Sequence, residues 1–395
     1  MFGATGALIV VGALFFRPPA SGDVPHRPHD DSEVLERLPV GRTDPRERER
    51  ARLHDSLAAH PADLGTAVTL AQLDIELSRA RSDPRYLGYA QAALATWWDL
   101  PAPPPAVLVL RATVRQSIHD FDGALMDLDR VVAIAPDDAQ AWITRSVVLT
   151  VRGRYEEAKA SCQPLARLAP ELVFTVCAAS IDAETGSAGP AYDRLANTIR
   201  RARRLSPSEN EWAASTLGEI ALRLGRDADA ESSFRAALAI QPDDPYVLAA
   251  YADLLLDLNR SAEAAHLVAS RTENDGLLLR LALAEARARA PDATKHAEML
   301  RARFDASHLR GDNVHRREES RFELSLRGDA QAALRLARAN WDVQREPWDV
   351  RILLESALAA GDPSAAGPAL KFLDEYRLED PRIAAVAAHL RQGRP

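Results

Sequence analysis

The sequence predicts an all-α fold, an α–α superhelical solenoid built of stacked helical hairpins. One observation is a proline beat: Pro136 and Pro170 stand 34 residues apart, as do Pro347 and Pro381, while Pro207 and Pro242 miss that period by one. Each of these prolines closes a stretch of small, aromatic and leucine residues. A fixed period of this length marks helical hairpins that bury their apolar faces only against their neighbours. A second observation is composition: alanine and leucine dominate, and the β-branched and aromatic runs that a sheet would need are missing. The 395 residues exceed one compact domain by ordinary priors, but a solenoid grows its core in one dimension and needs no second fold.

The clearest unit runs from Glu211 to Pro242. Its first helix carries Leu217 and Gly218, and its second carries Ala230, Phe234 and Ala237, spaced for one helix face. Gly218 and Ala230 are small where two antiparallel helices must approach closely, and Phe234 fills the groove toward the next hairpin. Gly225 suits the left-handed close of the first helix, and Asp227 is expected to cap the second. Gln241-Pro242-Asp243-Asp244-Pro245 ends the unit, because proline cannot continue a helix yet fits its first turn.

On these residues the chain resembles the tetratricopeptide repeat family. The resemblance recurs through Ala112, Ala124, Leu128, Val131 and Pro136, through Trp142, Ser146, Ala158, Cys162, Leu165 and Pro170, through Leu248, Ala252, Ala264 and Val268, and through Leu353, Ala357, Ala369, Leu373, Tyr376 and Pro381. The expected organisation is a signal peptide or anchor at 1–22, a flexible linker at 23–45, a helix and divergent hairpin at 46–104, repeats at 105–271, degenerate hairpins at 272–346, and a final repeat with a capping helix at 347–395. Within 61–104 an insertion is expected around Ser82-Asp83-Pro84. The resemblance implies a non-enzymatic scaffold for a protein or peptide partner; the alternative is an accessory subunit that completes an enzyme or transporter complex, with the His308 to Glu319 segment in that role.

The amino terminus carries separate information. Phe2 to Phe16 is a charge-free apolar run, short of the ~20 residues that span a bilayer, and it matches the apolar region of a secretory signal. Ala20 and Gly22 place small residues where a signal peptidase cuts, so cleavage after Gly22 and a periplasmic or secreted protein are expected. An uncleaved membrane tether through residues 2–16 and a misplaced start codon are the alternatives, and a cytoplasmic regulatory scaffold would require the apolar start to be a buried helix. Residues 18–48 are rich in Pro, His, Asp and Arg and suit a solvated tether; His26 and His29 beside Asp30 and Asp31 form no ordered metal set.

Export bears on the cysteines. Cys162 falls on the second helix of one repeat and Cys177 on the first helix of the next, where an oxidising compartment could join them; two buried thiols are the alternative. Net charge is −8, which argues against nucleic acid as a partner. Arg200-Arg201-Ala202-Arg203-Arg204 sits at a helix end, where cations offset the dipole. Only three lysines stand among 49 basic residues, and none lies where family members that grip chaperone tails place theirs.

Motifs for a catalytic nucleophile, a phosphate loop, a zinc protease or a paired Cys-x-x-Cys are missing from the sequence, and no cofactor is implied. The polar stretch His308 to Glu319 places His315 and Glu319 four residues apart on a helix expected at 313–327, a spacing for an ion pair or a metal. Trp97-Trp98 and Trp341 with Trp348 are expected to fill space between hairpins. First helices should line the concave wall, so the candidate partner contacts are Gln116, Gln140, Trp212, Glu219, Arg223, Tyr246, Asp253 and Asp257. Two aromatics and several acids suit an extended or helical peptide of some basic character.

Overall fold

The structure is a computed structural model that describes Asp30, residues 44–311 and residues 314–392. The apolar run 2–16, the small residues before Asp23, most of the linker and Asp312 lie outside the described residues. Two compact units are present, Met1–Arg48 and Glu49–Pro395; the account below concerns the second. No strand occurs among the described residues.

Helix α1 (Pro45–Ala59) precedes a run of hairpins. These are α2 (Leu64–Arg81) with α3 (Arg85–Ala93) and the short α4 (Ala95–Trp98), and α5 (Pro105–Ser117) with α6 (Phe121–Ile134). Next come α7 (Ala139–Val151) with α8 (Tyr155–Cys162) and the short α9 (Leu165–Leu168), and α10 (Glu171–Glu184) with α11 (Ala188–Arg201). They continue as α12 (Pro207–Arg223) with α13 (Asp227–Ile240), α14 (Pro245–Asp257) with α15 (Ser261–Val268), and α16 (Asp275–Ala288) with α17 (Ala293–Arg310). The last are α18 (Arg316–Phe322) with α19 (Ala330–Trp341), α20 (Pro347–Ala359) with α21 (Gly367–Tyr376), and a final α22 (Pro381–Arg391).

The α12–α13 unit shows why the pattern folds this way. Ala230, Phe234 and Ala237 are fully buried, and a methyl group added at Gly218 would meet the Phe234 ring at 2.7 Å. Ser206 and Glu209 cap α12 reciprocally. Ser82 to Pro84, where an insertion is expected, form the turn between α2 and α3, closed by Ser82 in the left-handed region. Two local expectations need correction. Asp227 does not cap α13; it is the first residue of that helix and pairs with Arg382 at 2.6 Å. The helix expected at 313–327 is α18 followed by a π-helical turn over Glu323–Arg327.

The solenoid winds back onto itself. Asn274 donates to Ser82 Oγ at 2.6 Å, Arg152 donates to the Val343 carbonyl at 2.8 Å, and the Ala188 amide donates to Glu379 at 2.9 Å. The sequence separations are 192, 191 and 191 residues. One superhelical turn therefore takes between five and six 34-residue units, and consecutive turns touch. The apolar core records the same closure, since Leu108 to Ile181 and Leu334 to Leu390 form one continuous cluster.

The contact surface is a row of hairpin turns. Gly153, Gly186 and Gly225 close α7, α10 and α12 with φ of +69°, +74° and +66°. The chain one turn on lies directly over them: a Cβ at Gly153 would stand 2.9 Å from the Phe372 ring, one at Gly186 2.9 Å from Arg377 Cβ, and one at Gly225 3.0 Å from Pro381. Glycine is required twice over at these positions, for the backbone and for the docked segment.

A disulfide joins Cys162 on α8 to Cys177 on α10, with Cα atoms 5.9 Å apart. No helix among the described residues is long and apolar enough to cross a membrane.

Alanine at Gly153 or Gly186 should cost about 1–2 kcal/mol for the left-handed backbone plus about 1–3 kcal/mol of overpacking against the next turn. Gly361 has the same backbone, φ +65°, with open space around it, so Gly361→Ala should show the first cost alone. Urea unfolding of the three variants separates the two costs.

Candidate functional site

The winding encloses a cavity of about 590 Å³. Its wall is made by first helices: α7, α10, α12, α14 and α16 on one side, and α18, α20 and α22 from the following turn on the other. Six of the eight candidate contacts line it, namely Trp212, Glu219, Arg223, Tyr246, Asp253 and Asp257. Gln116 and Gln140 do not. Gln116 lies in the last turn of α5, one hairpin before the cavity begins, and Gln140 donates to Thr144 Oγ1 at 3.1 Å.

Three of the six are already committed. Asp253, 4 % exposed, takes Arg280 at 2.7 Å and Arg321 at 2.8 Å. Burial opposes its ionisation, but the two guanidinium groups outweigh burial and hold the carboxyl down at about 2. Asp257 binds Arg351 through both oxygens at 2.8 Å, and Arg382 joins at 2.9 Å. Arg223 reaches Asp380 at 2.5 Å. These side chains were expected to face a partner; they pin the C-terminal helices across the concave wall. Arg321 and Arg351 also stand over the Trp348 ring, 3.9 and 4.4 Å from its centre.

Other lining groups keep their capacity. Tyr246 exposes 58 % of its surface, facing the cavity, and the surrounding cavity walls together with the neighbouring Glu219 carboxyl push its phenol up. Burial raises the carboxyls of Glu219 and Glu211. Glu184 accepts the Tyr155 hydroxyl at 2.8 Å and is pushed up to about 7 by burial, which Arg223 only partly offsets. On the far wall Arg317 pairs with Glu346 at 2.8 Å and Glu318 at 3.3 Å. Burial opposes ionisation of Glu318, yet Arg317, Arg280 and His315 together bring it down to about 2.

The polar segment near 310 is arranged differently from the expected i, i+4 pair. His308 Nε2 meets Glu319 Oε2 at 3.0 Å, and His315 sits at the N-cap of α18 without a side-chain capping bond. Among the described residues no group of three or more His, Cys, Asp or Glu side chains is placed to hold a metal.

Sequence reasoning missed Glu184, Glu211, Arg280 and the entire far wall. A signal for Glu184 was present, since Thr150, Glu184, Glu219 and Asp253 succeed one another at 34 or 35 residues and occupy the same place in successive first helices. Trp212 and Tyr246 are likewise one period apart.

No protein-family model and no curated protein matches the sequence. Solved structures are similar in fold. A tetratricopeptide repeat protein from Parabacteroides merdae is 13% identical over 72% of this chain and 98% of its own, with a TM-score of 0.38. The Cut9–Hcn1 hetero-tetramer of the APC/C is 12% identical over 88% of this chain and 90% of that chain, with a TM-score of 0.41. Human IFIT1 dimer with m7Gppp-AAAA is 12% identical over 88% of this chain and 86% of that chain, with a TM-score of 0.46. The chain is a tetratricopeptide-like α–α solenoid. Its own geometry carries that statement, through the paired helices, the 34-residue spacing and the small-residue contacts of each hairpin.

Removing the Asp253 carboxyl leaves Arg280 and Arg321 buried without their anion, so Asp253→Ala should lose about 3–5 kcal/mol in chemical unfolding. Glu184 has the opposite sign. With its folded value raised to about 7, its contribution to stability is complete below its unfolded value and is lost as pH rises through 7. Glu184→Gln should therefore gain stability relative to wild type between pH 6 and 8, read as a difference in Tm of a few degrees. A constant difference across that range would contradict the assignment.

Proposed function

We propose that the protein is a non-enzymatic scaffold of the bacterial cell envelope that receives an extended segment of a partner protein in its central cavity. The observation that carries this reading is the cavity wall itself: successive first helices present Trp212 and Tyr246 at one repeat position and Glu184 and Glu219 at another, into a half-open cavity of about 590 Å³. That volume falls in the usual range for buried ligand sites. A helix 10–12 Å across would fill it within roughly one turn, which favours an extended chain and disfavours the helical peptide that the sequence also allowed.

The envelope location is supported by the apolar segment Phe2–Phe16 with small residues at Ala20 and Gly22, and by the Cys162–Cys177 disulfide, since such bonds persist in oxidising compartments. Whether residues 2–16 are cleaved or tether the protein decides only how it is held there. Negative net charge disfavours nucleic acid as the occupant.

Crosslinking the full-length chain in its native host, followed by mass spectrometry of partners and of the mature amino terminus, tests both halves. A discrete partner lost in the Trp212→Ala/Tyr246→Ala variant, with a terminus at Asp23 or an intact chain in the membrane fraction, is the expected result. A partner set unchanged by the double substitution would remove the cavity from the proposal.

A further inference from the structure

The charges lining the cavity do not balance, and the imbalance has a location. Asp253, Asp257, Asp380, Glu318 and Glu346 each meet an arginine. Asp244 caps α14 by accepting the Val247 amide at 2.8 Å. That leaves Glu184, Glu211 and Glu219, gathered on α10 and α12, with no ion pair among the described residues. Glu184 accepts from the Tyr155 phenol, which supplies no charge, and Glu219 neighbours the Tyr246 phenol. The nearest guanidinium, Arg223, is committed to Asp380 at 2.5 Å. Trp212 and Tyr246 flank the same wall and offer aromatic faces to a cation.

A second feature, on a different helix, asks for the opposite group. Arg280 lines the cavity with its side chain 8 % exposed. One of its terminal nitrogens binds Asp253 at 2.7 Å and the other the Gly276 carbonyl at 3.0 Å, while its buried Nε has no acceptor. A buried donor of a charged group left unmatched is rare in folded proteins. A neutral carbonyl oxygen satisfies it without adding charge beside Asp253.

Resting on the scaffold reading above, we propose that the segment taken into the cavity is recognised by a basic side chain. An arginine or lysine lies among Glu184, Glu211 and Glu219 beside Trp212 and Tyr246, and a main-chain carbonyl of the same segment accepts from Arg280 Nε, which the side chain turns to bring to the cavity surface. First helices pack about 8–10 Å apart, so α12 and α16 stand about 16–20 Å from each other. About five or six extended residues at ~3.3 Å each cover that span. An extended peptide can carry a cation at one end of such a span and a neutral acceptor at the other.

The groups that face Glu184 set the sign of a pH effect: Arg223 and the Tyr155 hydroxyl favour its charge, while Glu346 and Glu219 oppose it. A cation bound there needs the carboxylate, so affinity rises from pH 6 to pH 8.

The test uses the full-length chain and terminally blocked dodecapeptide pools, long enough to span from the cation to Arg280 on either side, with randomised flanks and one fixed central residue, arginine, lysine, citrulline or glutamate, read by fluorescence anisotropy. The expected result is binding of the arginine and lysine pools at least tenfold tighter than citrulline, strengthening between pH 6 and 8. Glu184→Gln/Glu219→Gln should bring the arginine pool to the citrulline level and flatten its pH profile, while unfolding no more easily than wild type. Arg280→Lys keeps the charge beside Asp253 but removes Nε, and should weaken all pools alike. Equal binding of arginine and citrulline, preference for glutamate, or no binding of any pool overturns the proposal. If Trp212→Ala/Tyr246→Ala still loses its partner in the host, the cavity reading survives that outcome and only the basic anchor falls; if the partner is indifferent to that variant, both fall.

Discussion

The pitch of the superhelix governs everything else in this molecule. A repeat that buries its apolar face only against its neighbours leaves its turns and its concave wall in water. Here the winding brings residue i against residue i+191, so three turn glycines become docking surface and the concave wall becomes an interior. Side chains that would be solvated on an open solenoid are thereby placed where a charge needs a partner. The Asp253, Asp257 and Asp380 pairs follow from that displacement. Each joins a first helix of one turn to a helix of the next or to a nearer hairpin inside the bore.

The use of arginine fits this demand. A planar guanidinium can bind two oxygens of one carboxylate while lying flat on an aromatic ring, as Arg351 does between Asp257 and Trp348. Lysine would offer a point charge that is harder to dehydrate. The scarcity of lysine therefore has several structural uses. Acids without an arginine stand out against that background, and all three gather on α10 and α12.

Period, hairpins and first-helix identity were legible in the sequence because they are set by contacts within 34 residues, such as Gly218 against Phe234 and the reciprocal cap of Ser206 and Glu209. Six of eight residues placed on the concave wall line the cavity for the same reason. What was not legible is the closure. Nothing in a glycine at a hairpin turn distinguishes one that merely ends a helix, such as Gly361, from one that must also admit Phe372 or Arg377. Arg223, Asp253 and Asp257 looked like partner contacts because the arginines and acids that neutralise them lie 27 to 157 residues away. His315 and Glu319 failed as a pair because Glu319 turns to His308 on the preceding helix.

Contact between turns also makes the angle between neighbouring hairpins matter more than it would in an open solenoid, since a small rotation at one interface is carried through five or six units before the chain meets itself. The Cys162–Cys177 bond sits at such an interface, joining the second helix of one hairpin to the first helix of the next, and Cys177 itself lines the bore. Ser146, from the preceding first helix, lies 3.2 and 3.3 Å from the two sulfurs. Closing a loop of this length contributes about 3 kcal/mol in the chain-entropy account. Its larger consequence is geometric: it ties the hairpin that carries Gly153 to the hairpin that carries Gly186, the turns that dock against Phe372 and Arg377. Winding, disulfide and bore are in this sense one feature. The bond limits the angle, the angle brings the turns into contact, and the contact encloses Glu184, Glu211 and Glu219 where an incoming cation is the natural counterpart.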